Sequence, residues 1–160
     1  MPGHDLKQLS SRDFEELTRD LLQAEWGVAL EAFKTGRDGG IDLRRISAEK
    51  GTTIVQCKHF AVSGYSKLLS HLRGSEVEKV RSLRPKRYVL VTSVELSPAN
   101  KDAIQELFRP FILSPSDVIG ANDIDGLLQR HPDVARSNFK LWLTSTEILE
   151  RVLHNAEIAD

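Results

Sequence analysis

The sequence predicts an α/β domain with a central mixed sheet covered by helices on both faces. Three observations carry this. An amphipathic helix opens the chain, with Phe14, Leu17, Leu21 and Leu22 at helical spacing. Three short strands separated by tight turns follow, between Val28 and His59. After a helical stretch comes Arg87-Tyr88-Val89-Leu90-Val91-Thr92, a continuous apolar run of the length and β-branched content of a buried strand. Strand, helix and strand in that order imply a crossover connection, and hence a parallel pair inside the sheet.

Each element has its local reason. Ser10, with Asp13 three residues on, reads as a capping box that starts the first helix, and Gly27 ends it. Val28 to Lys34 reads as the first strand, stopped by Gly36-Arg37-Asp38-Gly39-Gly40. Ile41 to Ile46 is the second, with Ile41 and Leu43 on one face and Asp42 and Arg44 on the other. Thr52 to His59 is the third, with Val55 and Cys57 on one face and Ile54, Gln56 and Lys58 on the opposite one.

Ser66 to Leu83 is helically patterned through Leu68, Leu69, Leu72, Val77 and Val80, with Gly74 as its weak point. Ser97-Pro98 starts a helix reaching about Phe108. A short strand follows at Phe111 to Leu113 or at Asp117 to Ile119, then a helix from Asn122 to Arg130 and a helical region from Ala135 onward. Thr144 with Glu147 forms another capping box, and Ile148, Leu149, Val152 and Leu153 make a narrow apolar stripe. That stripe suits packing on its own domain; the alternative is that it meets a following domain or another subunit.

Composition narrows the chemistry. With 160 residues, 40% of them hydrophobic, the chain supports one substantial core. No stretch approaches the roughly 18 apolar residues of a membrane span, and the N-terminus lacks a signal-peptide core, so a cytoplasmic protein is expected. The single cysteine, Cys57, excludes a disulfide framework and thiolate zinc clusters. His4, His71, His131 and His154 lack metal-ligand spacing, and no Gly-rich loop ending in Gly-Lys-Ser/Thr marks a nucleotide hydrolase. A net charge of −1 means that nucleic acid could bind only through a local patch. Lys79, Arg81, Arg84, Lys86 and Arg87, with Lys67, His71 and Arg73 upstream, form one candidate; a merely solvated helix face is the other reading.

Asp42, Gln56 and Lys58 bring a carboxylate, an amide oxygen and an ammonium together on neighbouring strands. Phosphodiester hydrolysis needs neutralised phosphoryl oxygens and an activated water, which a hard cation held by oxygen ligands supplies, and Mg²⁺ fits, with Mn²⁺ as a substitute. Asp42 would anchor the ion, Gln56 and the backbone carbonyl of Cys57 would complete its protein ligands, and Lys58 would orient or deprotonate the water or stabilise charge. Taken singly, Asp-Gly-Gly is also an ordinary hairpin signal, and Gln-x-Lys an ordinary solvated strand edge.

Phe14-Glu15, Gly36-Arg37-Asp38-Gly39-Gly40-Ile41-Asp42 and Val55-Gln56-Cys57-Lys58-His59 together resemble the Mrr-type branch of the restriction-endonuclease-like, or PD-(D/E)xK, superfamily. The resemblance covers roughly the first 95 residues. It implies a restriction-endonuclease-like α/β/α core, Mg²⁺ dependence, and double-stranded DNA cut to leave 5′-phosphate ends. The family's metal-anchoring aspartate falls on Asp42, its Glu-or-Gln position on Gln56, its lysine on Lys58 and its helix carboxylate on Glu15, which flanks the Phe14 stripe while Glu16 points away. Asp38 either takes part or only shapes the turn. His59, next to Lys58, could contact metal or phosphate, but by strand parity a structural or rim role is expected, and Trp26 and Trp142 are expected to be core or interface residues.

Leu90-Val91-Thr92-Ser93, Leu96-Ser97-Pro98, Asp117-Val118-Ile119-Gly120 and Lys140-Leu141-Trp142-Leu143 resemble the nuclease effector domains of STAND-type NTPases in bacterial antiphage defence. That resemblance implies activation by oligomerisation and a C-terminal NTPase or sensor region of the same protein. Domain limits of 1–133 for the endonuclease and 134–160 for a helical extension are expected, with a dimer or tetramer as the working unit. The competing reading is a catalytically inactive nucleic-acid-binding or oligomerisation module on the same fold.

Overall fold

The computed structural model describes residues 6–33, 42–60 and 64–138. The Asp38 turn, the Thr144 capping box and its apolar stripe, and Trp142 lie outside the described residues. Helix α1 spans Ser11–Trp26. The Ser10 hydroxyl accepts the Asp13 backbone N–H at its start, and Gly27, at φ 66°, closes it in the left-handed conformation that glycine adopts without strain.

The sheet has five strands in sequential order: β1 (Glu31–Ala32), β2 (Leu43–Ser47), β3 (Gly51–Lys58), β4 (Arg87–Thr92) and β5 (Val118–Ile119). The first three pair antiparallel, and β3, β4 and β5 pair parallel. The expected mixed sheet is therefore observed, and Leu43 faces Val55 across the central antiparallel pair. The first strand is shorter than the expected Val28 to Lys34. Within the described residues, Leu30 gives its N–H to the Gln23 side chain of α1 at 2.9 Å instead of to a ladder, so pairing begins only at Glu31.

Between β3 and β4 the chain makes α2 (Gly64–His71), a wide π-type turn at Leu72–Glu76, and α3 (Val77–Leu83). The predicted single helix is thus interrupted around Gly74, the residue with the poorest helix propensity in it. Between β4 and β5 lies α4 (Pro98–Leu107), opened by a reciprocal Ser97 and Asn100 capping box. Helices α5 (Ala121–Arg130) and α6 (Pro132–Ser137) close the described chain.

Alternation along the strands sorts the interior into two layers. On one side Leu43, Val55, Val89, Val91 and Ile119 pack against Phe14, Leu17, Leu21 and Leu22 of α1 and against Ile124 and Leu128 of α5. On the other, Ile54, Tyr88, Leu90 and Val118 pack against Leu68, Leu72, Val77 and Val80, and against Ile104 and Phe108. This is an α/β/α sandwich, and it divides β3 between the layers: Cys57 joins the α1 side, and Ile54 joins the α2–α3 side. Val134 and Ala135 of α6 pack on the α1 layer across the expected 133/134 boundary.

Three cations of the basic stretch at 79–87 meet carboxylates. Arg87 is spent on Asp117, with Nε to Oδ2 at 3.1 Å and Nη2 to Oδ1 at 2.8 Å, while its guanidinium lies over the Trp26 ring at 4.6 Å. Arg81 pairs with Glu78, and Lys79 turns toward Glu76.

Candidate active site

The site forms beside the start of β2, along the last residues of β3, which pair with β4 on their other side. Asp42 sits one residue before β2, and its Oδ2 accepts the Cys57 backbone N–H at 2.8 Å. The same oxygen accepts the Gln56 side-chain amide at 2.9 Å. Because a strand residue's N–H and C=O point toward the same neighbour, the Cys57 carbonyl also faces the Asp42 side. Lys58, in contrast, gives its carbonyl to the Ser93 N–H on the β4 side, at 3.4 Å.

Burial drives the Asp42 carboxyl above the usual aspartate range, against the opposing pull of the Cys57 N–H and of Lys58. Glu15 on α1 is pushed up to about 7, first by burial, then by the negative charge of Asp42 and of Glu16. Among the described residues its carboxylate has no hydrogen bond or ion pair, whereas Glu16 is engaged by Arg12 at 3.3 Å.

The structure thus brings Asp42, Gln56 and the Cys57 backbone into one network, and sets Glu15 within electrostatic reach of it. Lys58 takes a different partner. Its Nζ donates to Oε1 of Glu76 at 2.7 Å, and Glu76 is only 2% exposed. The same oxygen lies 3.6 Å from His71 Nε2 and 3.5 Å from Lys79 Nζ. Sequence reasoning missed Glu76, though a signal was there: Leu68, Leu72, Glu76 and Val80 recur every fourth residue, so a carboxylate stands on the helix's apolar stripe.

His59 is structural. Its ring stacks on Phe14 with centroids 5.1 Å apart. Nε2 donates to the Leu9 carbonyl at 2.6 Å, and Nδ1 meets the Ser93 hydroxyl at 2.8 Å. The partly buried Cys57 thiol, hydrogen-bonded to Thr18, is pushed well above the ordinary thiol range by desolvation, which disfavours the thiolate.

The donors fit a hard divalent cation. Asp42 Oδ1 takes no hydrogen bond among the described residues, and burial raises the proton affinity of Asp42 and Glu15, an energetic cost to their charged forms that a bound cation would offset. Among the described residues no three His, Cys, Asp or Glu side chains form a ready metal cage. A cavity of about 550 Å³ opens beside Glu15, lined by Arg12, Arg19, Phe33 and Leu43 among others. Next to it Arg44 lies over the Phe33 ring at 4.9 Å.

The uncharacterized protein y4cD of Sinorhizobium fredii (strain NBRC 101917 / NGR234) is 45% identical over 153 residues, and the match covers 96% of this chain. This chain spans 24% of that relative's length. Among solved structures, the DNA modification-dependent restriction endonuclease AspBHI aligns over 94% of this chain and 43% of its own, at 18% identity and a TM-score of 0.41. No helix among the described residues is long and apolar enough to cross a membrane. Residues 6–117 match the Mrr catalytic-domain model, described as restriction endonuclease, and the chain belongs to that family.

Proposed function

We propose that this domain is a Mg²⁺-dependent endonuclease that hydrolyses phosphodiester bonds of double-stranded DNA. The observation that carries the proposal is the network beside the start of β2: Asp42 bonded to Gln56 and to the Cys57 N–H, with Lys58 on the same strand face as Gln56. Asp42, Glu15, the Gln56 amide oxygen and the Cys57 carbonyl would hold the ion, and Mn²⁺ would substitute for Mg²⁺. When bound, the ion neutralises phosphoryl charge and activates a water.

The chain's own groups do the rest. Lys58 orients the attacking water and donates to the phosphoryl oxygens as charge develops on them. Arg12, Arg19 and Arg44, around the cavity beside Glu15, hold flanking phosphates and so position the scissile bond. The remainder of the domain can stay near electroneutral, because these contacts are local.

Residues 1–133 form the endonuclease unit, and 134–160 lead toward a following NTPase or sensor region. The fourfold greater length of the y4cD relative supports reading this chain as one module of a longer polypeptide. In this reading the module is a cytoplasmic antiphage effector. Since one such site cuts one strand, oligomerisation to a dimer or tetramer switches on double-strand cleavage.

The test is incubation of supercoiled plasmid with the purified domain in Mg²⁺ and in EDTA, beside Asp42→Ala. Metal-dependent nicking or linearisation that the variant lacks supports the proposal. Wild-type protein that leaves the plasmid intact, even when concentrated or artificially oligomerised, favours a binding module that does not cut.

A further inference from the structure

We infer that Glu76 is the positioning residue for Lys58, holding the lysine's ammonium in place from the helix side of the sheet; this rests on the reading of Lys58 given above. Lys58 leaves β3 on the face of Ile54 and Gln56 and is 13% exposed, so its long side chain ends in a largely desolvated setting. An ammonium there is costly unless a carboxylate meets it. Four rotatable bonds would otherwise let it sample many positions. Glu76 supplies both the charge and the fixed point, at 2.7 Å and with 2% exposure.

The backbone is built to deliver that carboxylate. The π-type turn Leu72–Glu76 breaks the helix within one turn of Gly74 and ends on Glu76. Through it Leu72, Glu76 and Val77 all face inward while Arg73 and Gly74 stay exposed. Wide turns of this kind interrupt α-helices chiefly where a side chain must be aimed. Glu76 consequently occupies a slot that Leu68, Leu72 and Val80 fill with apolar groups. A carboxylate with no task would be a poor choice for that slot, since an aliphatic residue buries there without needing a partner.

Two further side chains flank the pair. His71 and Lys79 lie 3.6 and 3.5 Å from the same Oε1, and are 39% and 47% exposed. Burial, and the charge of Lys58, lower the His71 pKa and disfavour its charged form, and its ring is set against Phe60 at 5.7 Å. Lys58 is much the closest of the three and the most buried, which makes it the one that Glu76 fixes.

The test compares Glu76→Gln and Glu76→Asp with wild type and Lys58→Ala in the 160-residue chain. One readout is plasmid cleavage in Mg²⁺ as a function of DNA concentration. The other is the rate at which acetic anhydride modifies Lys58 in metal-free, DNA-free protein, read by peptide mass spectrometry against exposed Lys50. Glu76→Gln is expected to slow cleavage at saturating DNA by about tenfold or more, with little change in the half-saturating concentration. Lys58 modification should become severalfold faster, and Glu76→Asp should recover part of both.

Unchanged cleavage at saturating DNA, or a loss that merely follows the melted fraction while Lys58 labelling stays at the wild-type rate, overturns the inference. If Glu76→Gln melts below the assay temperature, Glu76→Asp carries the same two readings. If Lys58→Ala cuts as well as wild type, the nuclease role of Lys58 fails, while the labelling rates still decide whether Glu76 holds it.

Discussion

The side-chain amide of Gln56 donates to Oδ2 of Asp42 across 2.9 Å, so a neutral residue supports the anchoring carboxylate from the next strand. Gln56→Glu would turn this hydrogen bond into a contact between two carboxylates that burial already disfavours. In EDTA the variant should lose about 1–3 kcal/mol of stability, the usual cost of breaking a hydrogen bond to a buried charged group. Mg²⁺ should restore more stability to it than to wild type, because an added ligand charge tightens binding. Thermal melts with and without Mg²⁺ check this, and equal Mg²⁺ shifts for both proteins would count against Gln56 as a ligand.

Glu15 gives the site a pH dependence of definite sign. Its carboxyl lies at about 7 in the folded protein against an ordinary value of 4.5, raised by burial first and by Asp42 next. Between those values the folded protein keeps a proton that the unfolded chain has lost, so metal-free stability falls as pH rises across that window. A cation must displace the same proton, so apparent Mg²⁺ affinity should rise through about pH 7 and level off above it. Glu15→Gln should flatten both trends. Melting curves in EDTA and Mg²⁺ titrations across the window provide the measurement, and an unaltered slope in the variant would remove Glu15 from the ligand set.

His59 holds the N-terminal segment to the sheet through Leu9, Ser93 and the Phe14 ring. Replacing it by alanine should cost roughly 2–4 kcal/mol, from two lost hydrogen bonds and one ring contact. Urea denaturation gives the number. Cleavage per folded molecule should be retained, and a selective loss of cleavage in fully folded His59→Ala would place the ring in the chemistry after all.

Asp117 is buried and clamps Arg87 with two bonds. Asp117→Asn should destabilise by about 1–3 kcal/mol, less than a fully buried pair would, because Arg87 stays partly exposed. The wild-type contribution should persist in about 0.5 M salt, since screening acts weakly on a desolvated pair. A double-mutant cycle with Arg87→Ala, at low and high salt, separates this from the loss of the Trp26 stack.

Much of the fold is legible in local pattern. Leu43, Val55 and Cys57 on one face and Ile54, Gln56 and Lys58 on the other follow from a period of two, and burial into two layers obeys it. Ser10, Gly27 and Ser97 mark helix ends because their chemistry acts within three or four residues. The true extent of β1 is not legible, since a side chain seven residues upstream, Gln23, captures the Leu30 N–H. Nor is the fate of Lys79, Arg81 and Arg87 in the basic stretch, which meet Glu76, Glu78 and Asp117.

The sequence by itself determined the α/β class, the strand faces, and the placing of Asp42, Gln56 and Lys58 on one side of a meander, because periodicity and turn chemistry are properties of neighbouring residues. Tertiary structure alone decided that Asp42 accepts the Cys57 N–H of β3, that Glu15 feels its charge from α1, and that Glu76 meets Lys58 from 18 residues away. Those relationships depend on how a helix lies across a sheet and on how much water is excluded between them. Burial and distance set the strength of a charge, and both exist only once the layers have packed.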